Sequence, residues 1–183
     1  MLLQIRRAVV VSVIFFVLLG LAYPVVETAI GNTFFSHQAG GSLTANGSTL
    51  VGQTWTGPKW FQGRDDPADT DSTMTTGSAN WGPRSKAFVK ILEARIHLLH
   101  SEGITPTADL VTGSGSGVDP DISPDDAYAQ ASAVAKANGL SLGTVRRLIA
   151  SQVVGPQFGF LGNSYINLLS LNEALHQAIA RRH

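Results

Sequence analysis

Residues 109 to 124 read DLVTGSGSGVDPDISP and concentrate the residue types that do chemistry: alternating glycines and serines, then Asp119 and Asp121, with Asp125 and Asp126 just beyond. Consecutive glycines let backbone amides converge on an anion, so phosphate binding is the first chemistry to weigh. A nucleotide-hydrolysing loop of the Walker type needs a lysine and a serine or threonine after its last glycine, for the phosphates and for Mg²⁺. Here Gly117 is followed by Val118 and Asp119, and no lysine lies between Lys90 and Lys136. Independent ATP hydrolysis by this loop is not expected. A calcium loop is not expected either, because the four aspartates lack the alternating ligands, central glycine and closing glutamate of an EF-hand. Ser114 and Ser116 sit between glycines as a hydrolase nucleophile can, but Pro120 follows before any helix begins, so neither would stand on a strand-to-helix elbow. What remains is a shaped surface loop, suited to contact with a partner.

The elements around that loop are marked by their caps. Ser123 followed by Pro124, Asp125 and Asp126 opens a helix, with negative charge at the positive end of its dipole, and Asn138-Gly139 closes it. Upstream, residues 82 to 100 (GPRSKAFVKILEARIHLLH) place Phe88, Ile91, Leu92, Arg95 and Leu99 at helical spacing after Pro83. His97 and His100 are three apart there, without a third ligand, and read as a solvated helix end. Ser141 caps a further helix to about Ser151, with Val145, Leu148 and Ile149 inward. Residues 165 to 169 (YINLL) read as a strand that runs into a capping box, Ser170 to Glu173, opening the last helix. Residues 31 to 85 are rich in Gly, Ser, Thr and Asn, with a strand expected over Ser48–Trp55 and a shorter one through Trp60 and Phe61. The fold class expected is α+β, one compact domain over residues 27–183.

Composition narrows the function. The chain of 183 residues has 13 basic and 13 acidic residues, so it carries no broad footprint for nucleic acid, and with no cysteine it has no thiolate or disulfide chemistry. Its apolar excess lies at the N-terminus: Ala8 to Val26 holds no formal charge. At 1.5 Å per residue that stretch would span about 28 Å, close to the thickness of a bilayer core. Arg6 and Arg7 precede the span and Glu27 follows it, so the positive-inside rule puts residues 1–7 in the cytoplasm, 8–26 across the membrane and 27–183 outside. Tyr23 and Pro24 mark its expected outer end. A cleaved signal peptide, with cleavage after Ala22, is the other reading of the same segment. Both export the remainder of the chain.

Taken together, these residues resemble the C subunit of the Kdp-type potassium-transporting P-type ATPase. The resemblance rests on Pro106, Asp109-Leu110-Val111-Thr112, Ser114-Gly115-Ser116-Gly117, Asp119-Pro120, Ile122-Ser123-Pro124, Ala127 and Gln130. It extends to Tyr23-Pro24, Val51-Gly52-Gln53, Trp60, Phe61 and Arg64, Gly77, Ser78, Asn80, Gly82 and Pro83, and Asn167, Leu169, Leu171 and Asn172. The sequence departs from the family pattern at Arg64-Asp65-Asp66-Pro67 and at Trp81. The resemblance implies a non-catalytic accessory subunit, with a retained membrane helix, that stabilises a complex in the bacterial or archaeal cell membrane. Its partners would be membrane lipid, a channel-like A subunit, an ATP-hydrolysing B subunit and a small F peptide. It also implies a candidate contact at Ser114, Gly115, Ser116, Gly117 and Gln130, either with ATP held by the B subunit, whose affinity the chain would raise as a catalytic chaperone, or with a partner surface. No cofactor of its own is implied. Positive-inside topology favours an external role, at the mouth of the channel subunit, over a nucleotide-facing one.

Overall fold

The computed structural model describes residues 1–64, 80–82 and 84–181. They form two compact units, Met1–Thr44 and Ala45–His183. Pro83, Gly77, Ser78 and the Asp65-Asp66-Pro67 departure lie outside the described residues.

The first unit is dominated by one 33-residue helix, Leu2–Phe34, with a mean hydropathy of 2.7 over its most apolar stretch. It is long and apolar enough to cross a membrane. It is built from α1 (Leu2–Phe15), a π-helical stretch (Phe16–Ala22) and α2 (Tyr23–Phe34), and a short α3 (Ser36–Ala39) follows. Pro24 does not end the helix where the sequence suggested. The wider winding just before it supplies the reason: the Tyr23 amide donates to the Leu18 carbonyl, five residues back. A wider turn relieves the clash between a proline ring and the carbonyl four residues earlier. Two two-residue strands, β1 (Leu43–Thr44) and β2 (Gly47–Ser48), come next.

The second unit is mostly helical: α4 (Lys86–Ser101), α5 (Ala108–Val111), α6 (Pro124–Ala137), α7 (Leu142–Gln152) and α8 (Leu168–Ala180). Among its described residues the regular sheet is one antiparallel pair, β3 (Asp121–Ile122) with β4 (Ile166–Asn167), in which Asp121 faces Asn167 and Ile122 faces Ile166. The class is therefore α+β with very little β. Helix α6 is rich in alanine, which lets neighbours approach from two sides. Ala127, Ala131 and Val134 join the main core of Phe61, Ile122, Val145, Ile149, Ile166, Leu171 and Leu175. Ala133 packs into a second cluster with Leu99, Ile104 and Leu110.

Caps at Ser123 and Ser141 start their helices as the sequence foretold, and Ser85, which the sequence did not single out, caps α4. Ser85, Ser123 and Ser141 accept hydrogen bonds from the amides of Phe88, Asp126 and Thr144. After α6, Gly139 takes φ +63° and the Leu140 amide reaches back to the Ala135 carbonyl at 2.9 Å. The last helix starts differently. Asn167, not Ser170, is its N-cap, accepting from the Ser170 amide at 3.2 Å. The expected strand 165–169 is cut to Ile166–Asn167, because the Asn167 carboxamide also bridges to the Thr49 carbonyl (2.9 Å) and to Asp121 (3.0 Å), which fixes it as the turning point.

The strand expected over Ser48–Trp55 does not form beyond Ser48. Gly52 instead gives its amide to the Val118 carbonyl at 2.8 Å. A Cβ at residue 52 would lie 2.6 Å from the Asp119 carbonyl oxygen, so the close approach requires glycine.

Candidate functional site

The strand expected through Trp60 and Phe61 does not form: Phe61 and Gln62 are buried but lie outside any sheet. Two buried carboxamides take the place of neighbouring strands. Asn172 of α8 accepts from the Phe61 amide and donates to the Phe61 carbonyl, both at 2.9 Å. Gln130 of α6 does the same for Gln62, accepting at 2.7 Å and donating at 2.9 Å. Successive residues of an extended chain present their backbone groups to opposite edges, so the two helices clasp one residue each. A carboxamide holds one acceptor and a donor pair in one plane, which is what a peptide edge requires. Asn138 donates to the Lys59 carbonyl at 2.8 Å, and Arg95 donates to the Gly63 carbonyl at 3.3 Å, extending the clasp on both sides.

The clasped segment delivers Arg64 to the glycine-serine loop. Its guanidinium donates to the carbonyls of Thr112 (3.3 Å) and Gly113 (3.0 Å) and lies 3.5 Å from the Asp119 carboxylate. Inside the loop, Ser114 is buried and its hydroxyl accepts from the Gly117 amide at 2.9 Å. Ser116 accepts from the Val118 amide at 3.2 Å, and the two hydroxyls are 3.3 Å apart. Asp119 accepts from the Asp121 amide at 3.1 Å. The amides of Gly117 and Val118, which a bound phosphate would use, are thus taken by the loop's own side chains. Gly113, Gly115 and Ser116 form its exposed rim.

Two carboxyls beside the loop hold their protons more tightly than usual. Burial raises Asp126 above 3.8, opposed by hydrogen bonds from Thr107 and Ser123 and reinforced by the charge of Asp109. Asp126 is buried, and its Oδ2 is one of two such side-chain atoms without a hydrogen-bond partner among the described residues. Burial also raises Asp121, against the hydrogen bond from Asn167 and with the charge of Asp119.

Of the residues singled out from sequence, Ser114, Gly115, Ser116 and Gly117 share one loop, while Gln130 is fully buried with both ends of its carboxamide engaged. As folded, Gln130 positions residue 62 and offers nothing to a ligand. Sequence reading missed Asn172 in this role. The available signal was a polar side chain among the apolar positions of α8.

The full length of the chain can be set against known proteins. A family model described as KdpC, K⁺-transporting ATPase, c chain, matches residues 5–177. The chain belongs to the KdpC family. Proteins named potassium-transporting ATPase KdpC subunit are similar throughout: 39% identical in Caldanaerobacter subterraneus subsp. tengcongensis, with 97% of each chain covered. In Geobacter sulfurreducens the identity is 41%, over 94% of this chain and 96% of the relative. In Sorangium cellulosum it is 42%, over 97% and 100%. Membership in KdpC makes the chain a subunit of a potassium pump, and so a protein with partner subunits. Among the described residues of this KdpC member, no group of three or more His, Asp or Glu side chains is placed to hold a metal.

Proposed function

We propose that this chain is an accessory subunit of the ATP-driven potassium uptake complex, anchored by its N-terminal helix with the second unit outside the cell membrane, where it stabilises assembly of the channel-like and ATP-hydrolysing subunits. The observation that carries this reading is the internal closure of the glycine-serine loop. The Gly117 and Val118 amides are occupied by the Ser114 and Ser116 hydroxyls, and Arg64 is engaged with Thr112, Gly113 and Asp119. Such a loop is a rigid platform for a partner surface, with Gly115 and Ser116 outward, and a poor cradle for a nucleotide. Arg6 and Arg7, in the first turns of the helix and ahead of its uncharged stretch, support the orientation.

The test is a tag after residue 183 in cells that express the whole complex, followed by protease treatment of intact spheroplasts. Loss of the tag without permeabilisation is the expected result. Digestion only after the cytoplasm is opened would overturn the external placement and return the loop to a nucleotide-facing role.

A further inference from the structure

A second loop, residues 153–165, connects α7 to β4. It has a built and rigid shape: Val154 and Tyr165 exchange backbone hydrogen bonds at 2.9 and 3.0 Å, and Gln157 and Leu161 do so at 2.9 Å in both directions. At the tip Phe158 takes φ +55° and Gly159 φ +83°. The Phe158 side chain is 81% exposed and that of Phe160 80%. Leu161, Val154 and Tyr165 are exposed below them.

Two aromatic rings in water at the tip of a braced turn are unfavourable for an isolated domain. A phenylalanine in the left-handed region adds strain, and strain of that kind persists where the surroundings hold it in place and clusters at binding sites. The tip also lacks charge. No ionisable side chain apart from the Tyr165 phenol lies between Arg147 and Glu173. Loops that bind lipid surfaces characteristically pair their apolar residues with Lys or Arg for the headgroups, and none is here. A braced backbone suits a preformed cleft, because the cost of ordering the turn is already met in the free protein.

Building on the functional reading above, we propose that Phe158 and Phe160 are the anchor of this chain on another subunit of the potassium pump, inserted in an apolar cleft that carries no charge. Gln157 and Asn163, exposed in the same loop, are polar and uncharged. Each ring would remove about 150–250 Å² from water on docking, the scale of the aromatic anchors that dominate interfaces.

The experiment uses the full chain, tagged after residue 183 and expressed with the other pump subunits, extracted in mild detergent. Phe158→Ser with Phe160→Ser is expected to lower recovery of the other subunits roughly tenfold or more, with an unchanged thermal unfolding transition, and Phe158→Leu with Phe160→Leu is expected to restore much of it. A photo-crosslinking residue at 160 in the otherwise unaltered chain is expected to join a pump subunit identified by mass spectrometry, a readout independent of any folding defect. Equal recovery by wild type and the serine variant overturns the proposal, as does a crosslink only to lipid or to a second copy of this chain. So does loss of binding to vesicles of phosphatidylglycerol and phosphatidylethanolamine with subunit recovery intact. If the wild-type chain itself recovers no pump subunit, the functional reading falls, an outcome distinct from wild type and variant behaving alike.

Discussion

The loop of residues 112–120 leaves a helix, turns on glycine and enters β3; the loop of residues 153–165 leaves a helix, turns on glycine and enters β4, the partner of β3. They share a support and differ in where their chemistry points. The first is polar and turns its donors inward, so Ser114 is buried and Arg64 is spent on its carbonyls. The second is apolar and turns its rings outward. A polar loop can satisfy itself with hydrogen bonds, whereas exposed phenylalanine has no such internal remedy and is satisfied only by a covering surface.

Substitutions should separate the two loops by stability. The largest effect is expected from Asn172→Leu, which keeps the side-chain volume and leaves the amide and carbonyl of fully buried Phe61 unpaired. A loss of about 3 kcal/mol is expected from urea unfolding of the detergent-solubilised chain, since each buried orphan costs about 1–3 kcal/mol. Gly52→Ala comes next. Its Cβ would meet the Asp119 carbonyl and push the polar loop from its support, at a cost of about 1–3 kcal/mol by the same measurement. Ser114→Ala removes the acceptor of the Gly117 amide and should cost about 1 kcal/mol. It should also speed hydrogen exchange at residue 117. In the apolar loop, Phe160→Ser alone should change stability by less than about 0.5 kcal/mol, because little of the ring is buried in the free chain. A large loss there would mean that the ring packs within the protein, and the contrast between the loops would collapse.

The smallest expected effect depends on pH. Because the folded state raises the Asp126 pKa, the cost of keeping this carboxylate ionised is present in full above that raised value. It is relieved as pH falls toward 3.8, where the folded protein takes up a proton before the unfolded chain does. Asp126→Asn cannot titrate, so wild type should gain stability relative to the variant as pH falls through this window. Unfolding midpoints of both proteins at neutral and mildly acidic pH check the sign, and a relative loss by wild type would refute it.

Local chemistry was legible in advance wherever it was local in the chain. Ser123 and Ser141 each accept from an amide close by in the chain, those of Asp126 and Thr144, and their helices form accordingly. The failures lie where a residue answers to something distant. Asn167 displaced the capping box at Ser170 because its carboxamide is also held by Thr49 and Asp121. Gln130, which the resemblance put forward as a contact, meets the backbone of residue 62, an edge that sequence does not show.

The sequence by itself determined the apolar N-terminal helix, the starts of α6 and α7, the absence of thiol chemistry and the family, since each depends on composition, on spacing along the chain or on motifs in order. Tertiary structure alone decided that residues 61 and 62 lie between carboxamides instead of strands, and that the glycine-serine loop closes on itself. It also decided that Phe158 and Phe160 stand in solvent. Hydrogen-bond partners more than a hundred residues apart, such as Phe61 and Asn172, are chosen by packing. The exposure of a ring likewise depends on what the rest of the fold leaves uncovered.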